Sequence, residues 1–168
     1  MKNKLQNILT LIVLIAGLCF QTIATAQDSE MTITTKAIGD WNVRCENIKG
    51  GEKSCVMMQQ SFAKSSGQRV IQSNIAKVEA GSLMSILLPL GIYLPAGVVM
   101  TFDDKNVNNL EINFCNQEGC FVNQKLDKKL LGQLNNSKSA KITIEINKGQ
   151  SVDVPFSVNG FTDAFKAL

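Results

Sequence analysis

Apolar and polar side chains alternate along most of this chain. The stretch KITIEI at 141–146 has isoleucine at every second position, and SVDVPFSV at 151–158 repeats the pattern with valine and phenylalanine. A period of two places the apolar residues on one face of a β-strand. Within the second stretch, Pro155 cannot donate a ladder hydrogen bond, so this strand is predicted at the edge of a sheet.

Further segments rich in apolar and β-branched residues predict seven more strands. They are Thr32 to Lys36, Trp41 to Cys45, Ser54 to Phe62, Val70 to Val78, Leu83 to Leu88, Val98 to Phe102 and Leu110 to Phe114. Only Asp127 to Leu134, with Asp127 as N-cap, and Thr162 to Leu168 have helical character. About nine strands separated by Gly, Asn and Pro turns predict an all-β fold, a β-sandwich with one or two short helices.

The first 26 residues do not follow this pattern. Lys2 and Lys4 precede an apolar run from Ile8 to Phe20, and the small-x-small sequence ATA follows at 24–26. This order is typical of a cleaved secretory signal peptide. No later apolar run approaches the roughly 20 residues that span a membrane. We therefore expect an exported single domain of residues 27–168 with no transmembrane segment, located in the periplasm, at the cell surface or outside the cell.

The charge of the mature chain narrows the choice of partner. Cleavage would remove two of the 17 basic residues and none of the 14 acidic ones, which leaves a formal charge of +1. A nearly neutral domain has no general attraction for nucleic acid or anionic membranes, so neither is predicted as a partner. About 142 residues also suffice for one core of ordinary size without a metal.

Four cysteines remain after cleavage, and an even number in an exported chain predicts disulfides. In CNQEGC, a hairpin would set Cys115 opposite Cys120 and Phe114 opposite Phe121, within the reach of a disulfide. Gly119 can supply the positive φ that a tight loop often needs. By the alternation of strand faces, we expect both rings on the core face and the disulfide on the opposite, more exposed face.

The other two cysteines, Cys45 and Cys55, flank a second predicted hairpin with Lys49 to Glu52 as its turn. Their pairing would place this disulfide on the apolar face beside Trp41. Loop closure gives each of the two bridges roughly 2–3 kcal/mol of stabilisation.

Alternative chemistry for these cysteines has little support. Zinc sites repeat short Cys spacings or combine Cys with His, and the chain contains no His. A thioredoxin-like dithiol requires C-x-x-C at a helix N-terminus, which neither pair provides. The lack of His also removes the commonest general base and excludes catalytic triads that use it. We therefore expect no metal, no cofactor and no enzymatic activity.

The segment SILLPLGIYLPAG at 85–97 is apolar but is interrupted by two prolines and two glycines. A strand, a connection across the sandwich and a second strand from Val98 are therefore expected. Its apolar residues have two interpretations. They close one end of the core, or Ile92, Tyr93 and Leu94 form an exposed patch that marks a binding surface.

The order of several motifs resembles the invasion-associated locus B family of exported bacterial proteins. The motifs are WNVRC at 41–45, Cys55, LPLGIYLPAGVVMTFDD at 88–104, FCNQEGC at 114–120 and GFTDAFKAL at 160–168. The most specific are the P-x-G-x-x-L-x-x-G spacing that begins at Pro89 and the C-x-x-x-G-C hairpin. Together the motifs cover nearly all of the mature chain.

The resemblance implies an immunoglobulin-like β-sandwich exported by a Gram-negative bacterium, in a family linked to host-cell invasion in some pathogens. It brings no catalytic motif. We therefore predict a non-enzymatic envelope protein that binds a protein of the host surface or of its own envelope. The alternative is an envelope housekeeping module or a periplasmic carrier of a small molecule or lipid. The ligand of a carrier would enter between the sheets near Ile92 to Leu94, and a closed core would count against it.

Overall fold

The computed structural model describes residues 31–168 except 49, 50, 52, 64 and 65. The predicted signal peptide and most of the predicted turn at 49–52 therefore lie outside the described residues. The strands are β1 (Met31–Ile38), β2 (Trp41–Ile48), β3 (Lys53–Phe62), β4 (Arg69–Val78), β5 (Gly81–Leu88), β6 (Val98–Phe102), β7 (Asn106–Leu110), β8 (Phe114–Asn116), β9 (Gly119–Lys125), β10 (Ala140–Asn147) and β11 (Gln150–Phe156). The helices are a 3-10 turn (Leu94–Ala96), α1 (Lys128–Asn136) and α2 (Phe161–Lys166).

These strands form two antiparallel sheets. One has seven strands in the order β1-β2-β3-β4-β5-β9-β8, and the other has four in the order β11-β10-β6-β7. Buried apolar side chains from both sheets and both α-helices make one core cluster. The all-β sandwich predicted from the alternation is therefore confirmed. Among the described residues, no helix has the length and apolar character needed to cross a bilayer.

The sandwich has more strands than the nine predicted. One addition is β9, the second half of the CNQEGC hairpin. The other arises because the predicted strand from Leu110 to Phe114 does not exist: β7 ends at Leu110 in the small sheet, and β8 begins at Phe114 in the large sheet. Ile112, in the crossing between them, packs against the core. Apolar residues at every second position therefore continue through 110–114, and this pattern does not show that the strand is broken there.

Pro155 lies where its missing N–H is tolerated. Among the described strands, β11 pairs with β10 alone and is an edge of the four-stranded sheet, so the predicted edge position is confirmed. Just after the end of β11, a side chain of the large sheet bonds to the backbone of the chain. Gln59 of β3 is buried, its Nε2 donates to the carbonyl of Ser157 at 3.0 Å, and its Oε1 accepts from the Ser157 N–H at 2.8 Å. This amide joins the two sheets.

Both predicted helices form close to their predicted positions. Asp127 caps α1, because its carboxylate accepts from the N–H of Leu130 at 2.7 Å, and Leu130 and Leu134 face the core. The second helix, α2, begins after Gly160, which has φ +77° and touches Gly39 in the β1–β2 turn. A Cβ on Gly160 would lie 2.5 Å from the carbonyl oxygen of Ile38, so only glycine fits this contact.

Trp41 links the three layers of the molecule. Its side chain on β2 is fully buried, and its ring contacts Phe156 of the small sheet and Phe161 of α2 edge-on, each at 5.7 Å between centroids. Edge-to-face contacts of this kind add roughly 0.5–1.5 kcal/mol beyond area burial. The strand that contains the WNVRC motif, β2, thus packs against the C-terminal helix through Trp41.

Candidate functional site

The first hairpin disulfide has the predicted position. Cys45 and Cys55 lie directly opposite each other on β2 and β3 with their Cα atoms 4.1 Å apart. Both are buried in the core cluster that contains Trp41. This bridge belongs to the interior of the protein.

The second disulfide also forms as predicted, but on the other face. Cys115 pairs with Cys120 at a Cα separation of 4.0 Å, and Phe114 lies opposite Phe121 with the rings stacked at 4.8 Å. However, Cys120 is 2% exposed, whereas Phe114 is 51% exposed. The expectation that the rings face the core and the disulfide faces outward is therefore wrong.

The cause of this error is the break at 111–113. The expectation treated residues 110–114 as one continuous strand, in which Phe114 would face the core like Leu110. The chain instead crosses between the sheets at 111–113, so the alternation of faces starts anew in β8. In the structure the face is set by pairing with β5, where Cys120 lies opposite the buried Leu88. Gly119 has φ +148°, and any Cβ there would overlap the carbonyl oxygen of Leu88. The predicted positive φ is present, and close approach to β5 is a second reason for glycine.

The segment at 85–97 follows the predicted course from one sheet to the other. It leaves the large sheet after Leu88 and joins the small sheet at Val98 through the 3-10 turn. Ile92 packs against the core, and the N–H of Tyr93 donates to the carbonyl of Glu145 at 2.7 Å. Both side chains are half-buried, while Leu94 is 50% exposed. The three residues therefore do not form a shared exposed patch: Ile92 closes the core and Leu94 faces solvent.

A groove of about 660 Å³ lies between the two crossings that connect the sheets. We call it the crossover groove; residues 94–98 and 109–115 line it. Val98 and Leu110, which line it, also belong to the buried core, whereas Leu94 and Phe114 are about half exposed. Large apolar side chains therefore surround an opening that reaches the core between the sheets.

The crossover groove is suited to binding by apolar contact. Among the described residues that line it, Glu111 alone is charged, and the two asparagines at 109 and 113 supply amide groups. Cys115 also lines the groove, so the second disulfide holds one side of it. Beside the groove, β8 is an edge of the seven-stranded sheet. Edge strands present backbone N–H and C=O groups that an added strand can pair with.

A second groove, of about 600 Å³, lies where β11 meets β3, and most of its lining residues have polar side chains. Several of its polar side chains bond to other groups that line it. The Ser157 hydroxyl donates to the Asp40 carboxylate at 2.5 Å, and the Ser61 hydroxyl donates to the carbonyl of Pro155 at 2.7 Å. These bonds connect the sheets and the β1–β2 turn, which gives this groove a structural explanation.

Ionisable groups with shifted pKa values lie away from the crossover groove. Asp103 is in the turn between β6 and β7, and its carboxylate accepts from the N–H groups of Ser139 and Lys138, both at 2.9 Å. These bonds hold the pKa of Asp103 below its usual value. Neighbouring Asp104 instead lies 3.5 Å from Lys141, so the two carboxylates do not share a site.

Lys141 and Asp153 form an exposed ion pair across β10 and β11. The Thr143 hydroxyl and the Lys141 ammonium both donate to the Asp153 carboxylate, which lowers the pKa of that carboxyl. The bond to Asp153 in turn raises the pKa of Lys141. Within residues 31–168 as described, no group of three Cys, Asp or Glu residues could hold a metal ion. The shifted pKa values of Lys141 and Asp153 therefore reflect surface pairing on the small sheet.

The sequence of this chain is similar to that of a known protein family. The family model described as invasion associated locus B (IalB) protein matches residues 41–168. Two proteins called invasion protein B homolog, from Brucella abortus strain 2308 and from biovar 1 strain 9-941, are each 30% identical over 131 residues. These matches cover 77% of this chain and 75% of the relative.

A solved structure shares the fold. The crystal structure of invasion associated protein b from Bartonella henselae matches with a TM-score of 0.66 and 24% identity, and covers 80% of this chain and 93% of that one. The family match begins at Trp41, so β1 lies before the matched region. The matched region contains both disulfides and the whole crossover groove.

Proposed function

The chain belongs to the invasion associated locus B family, and from this premise we propose that it is an exported, non-enzymatic protein that binds a protein partner through the crossover groove. One observation carries the proposal. Leu94 and Phe114, on the two crossings, expose about half of their side chains beside buried core residues. Fully burying a side chain of this size contributes roughly 1.5–3 kcal/mol, so a partner that covered both would gain a useful share of its affinity.

The edge of the large sheet suggests how the partner binds. An extended segment paired with β8 would gain backbone hydrogen bonds and place its apolar side chains against Leu94 and Phe114. Such strand addition obtains affinity from the main chain and specificity from the pocket. The expected partner therefore presents an extended, apolar, largely uncharged segment.

A binding role without catalysis is supported by the chemistry of the groove. General acid–base catalysis needs a titratable group of tuned pKa within reach of the substrate. Among the described residues that line the crossover groove only Glu111 is charged, and the groups with shifted pKa lie outside it, at Lys141 and Asp153 on the small sheet and at Asp103 in the β6–β7 turn. These features favour recognition over reaction.

The location of the protein follows from its disulfides and its family. Disulfides persist in oxidising compartments, and both bridges here are built into the fold. The chain is therefore an extracytoplasmic protein, and we propose the periplasm or the cell surface as its compartment. Because the Brucella relatives are called invasion protein B homologs, a host surface protein is the first candidate partner, ahead of a protein of the bacterium's own envelope.

The size of the groove favours a second candidate, a small-molecule or lipid carrier. About 660 Å³ lies within the roughly 300–1,000 Å³ range of small-ligand sites. However, the space between the sheets is filled by buried side chains such as Met57, Met84 and Met100. A ligand would have to lie in the open groove, where much of its surface stays in water. A protein partner is therefore preferred.

The proposal can be tested by site-specific photo-cross-linking on intact cells. A photoreactive amino acid at Leu94 should give a discrete protein adduct, and the Phe114→Ser substitution should reduce the yield at least fivefold. The matched control is Val107, which is 56% exposed on β7 outside the groove and should give no such adduct.

Each other outcome argues against protein binding at the groove. Equal adducts from positions 94 and 107 would indicate non-specific contact, and the absence of adducts at both would contradict the proposal. A mass increase of only a few hundred daltons, found on the position-94 variant alone, would support the carrier instead.

A further inference from the structure

The outer face of the seven-stranded sheet carries an unusual set of side chains. Its inner face packs on the core, and among the described residues no other element covers the outer one. Two neighbouring cross-strand rows of outward-facing residues on this face are uncharged, whereas the next row begins at Arg44 and ends at Lys125. The first row is Gln60, Gln72, Leu87, Phe121 and Phe114, and the second is Asn42, Met58, Asn74, Ser85 and Asn123. We call these two rows the amide face.

Neither row contains a charged side chain, and five of the ten residues in the two rows together have amide side chains. Neighbouring strands are about 4.8 Å apart, so each five-residue row extends for roughly 19 Å. Core-facing amides would cost stability, but these residues alternate with the buried ones and point outward. Solubility alone favours Lys and Glu at such positions. The neutral amides therefore call for another explanation.

Hydrogen bonds hold part of this face in one orientation. The Nε2 of Gln60 donates to the Oε1 of Gln72 at 2.8 Å, and the Nε2 of Gln72 donates to the Oδ1 of Asn74 at 3.3 Å. Arg69, beside the rows, donates to the same Oε1 of Gln72 at 2.9 Å. Each amide has two N–H donors and an oxygen with two lone pairs, so capacity remains for a ligand. The face is thus preorganised to donate and accept in alternation.

The first row ends in a stacked aromatic pair. Phe121 and Phe114 stack at 4.8 Å with an angle of 16° between their planes, and Phe114 is half exposed. Because the two rings face each other, the edges of both rings and the outer ring face of Phe114 remain for apolar contact, at little cost in conformational entropy. It lies in line with Gln60 and Gln72, so one extended ligand could contact both the rings and the amides.

We propose that the amide face binds an uncharged polysaccharide. Sugar hydroxyls both donate and accept, which matches amide groups, and the C–H faces of sugar rings pack on aromatic surfaces. An anionic polymer would require the Lys and Arg side chains that these rows lack. A protein interface would require a larger apolar centre than these rows provide, because only Leu87, Phe121 and Phe114 are contiguous and Met58 lies apart between two amides. The site is separate from the crossover groove, although Phe114 borders both.

The test is affinity electrophoresis of the oxidised mature protein in gels that contain a neutral glucan, mannan or galactan, with heparin as the anionic comparison. At least one neutral polymer should retard the protein. The double substitution Gln60→Ala/Gln72→Ala should weaken that binding at least tenfold. The matched control Gln150→Ala removes an exposed amide from β11 on the small sheet and should change nothing.

Two further variants keep the result interpretable. Phe121→Leu keeps apolar volume but removes the stacking ring and should also weaken binding, while Leu94→Ser alters only the crossover groove and should not. Circular dichroism confirms that each variant is folded. Retardation by none of the neutral polymers would overturn the proposal, as would retardation by heparin alone or retardation that the double variant retains.

Discussion

The two hairpin disulfides are chemically alike but lie in different surroundings. The Cys45–Cys55 bridge joins central strands of the large sheet and is buried among core residues that include Trp41. The Cys115–Cys120 bridge joins the edge strand β8 to its neighbour, with Cys120 buried and Cys115 exposed at the crossover groove. One bridge therefore lies in the interior, and the other holds the edge strand that we propose as part of a binding site.

The largest expected effect is on the interior bridge. Replacing Cys45 and Cys55 together by Ala should lower the free energy of unfolding by about 3–4 kcal/mol, because loop closure and buried contacts are both lost. Urea unfolding of the oxidised proteins measures the change. Binding by the remaining folded fraction should keep its affinity. A loss below about 1 kcal/mol would show that this bridge adds nothing to the core packing.

Gly119 tests how tightly the edge hairpin is packed. Gly119→Ala forces a residue with a Cβ into φ +148° and against the Leu88 carbonyl, so it should cost on the order of 2–3 kcal/mol. The matched control is Gly132→Ala on α1, where a Cβ meets nothing within 4 Å. That change should stabilise the protein by about 0.5–1 kcal/mol. Thermal unfolding of both variants gives the comparison, and equal shifts would contradict the packing argument.

The edge bridge should affect binding more than stability. Its closed loop is shorter, with five residues of sequence separation against ten, so Cys115→Ala with Cys120→Ala should cost about 2 kcal/mol. The three residues of β8 would then be held less firmly, and affinity for the groove partner should fall several-fold. Titration with that partner at low temperature separates the two effects. Unchanged affinity in a folded protein would remove β8 from the site.

The smallest effect is expected outside both hairpins, at Asp103. The pKa of Asp103 is lowered in the folded state, so its carboxylate stabilises the fold at pH values above the unfolded-state pKa of about 3.9. This stabilisation is lost as the pH falls through the folded-state pKa. Asp103→Asn should therefore lower Tm slightly at pH 7 and not at pH 2. Disulfides do not titrate, so the hairpin variants should show no such pH dependence. Calorimetry at both pH values checks the contrast.

Much of the fold could be predicted from local patterns. Alternation located most strands, Pro155 marked an edge, and the spacing of cysteines gave both pairs, because each of these features depends on neighbours in the chain or on one hairpin. The face of the second disulfide could not be predicted. A crossing at 111–113 reverses strand parity, and Ile112 hides the crossing because it packs against the core as a strand residue would.

The candidate sites show the same division. The sequence alone singled out Leu94 within an apolar, proline-broken segment, but grouped it with Ile92 and Tyr93, which are half-buried. It gave no reason to connect Leu94 with Phe114, 20 positions later, or Gln60 with Phe121. Such residues come to share one surface only when strands of distant sequence pair and the chain crosses between sheets.

By itself, then, the sequence determined the all-β class, the two disulfide pairs and the short helices, since hydrophobic period, turn residues and hairpin geometry act over a few residues. The tertiary structure decided which face each side chain occupies, where the two crossings leave an opening, and which amides form rows. Those properties depend on the register between strands, which is set by burial of the whole core.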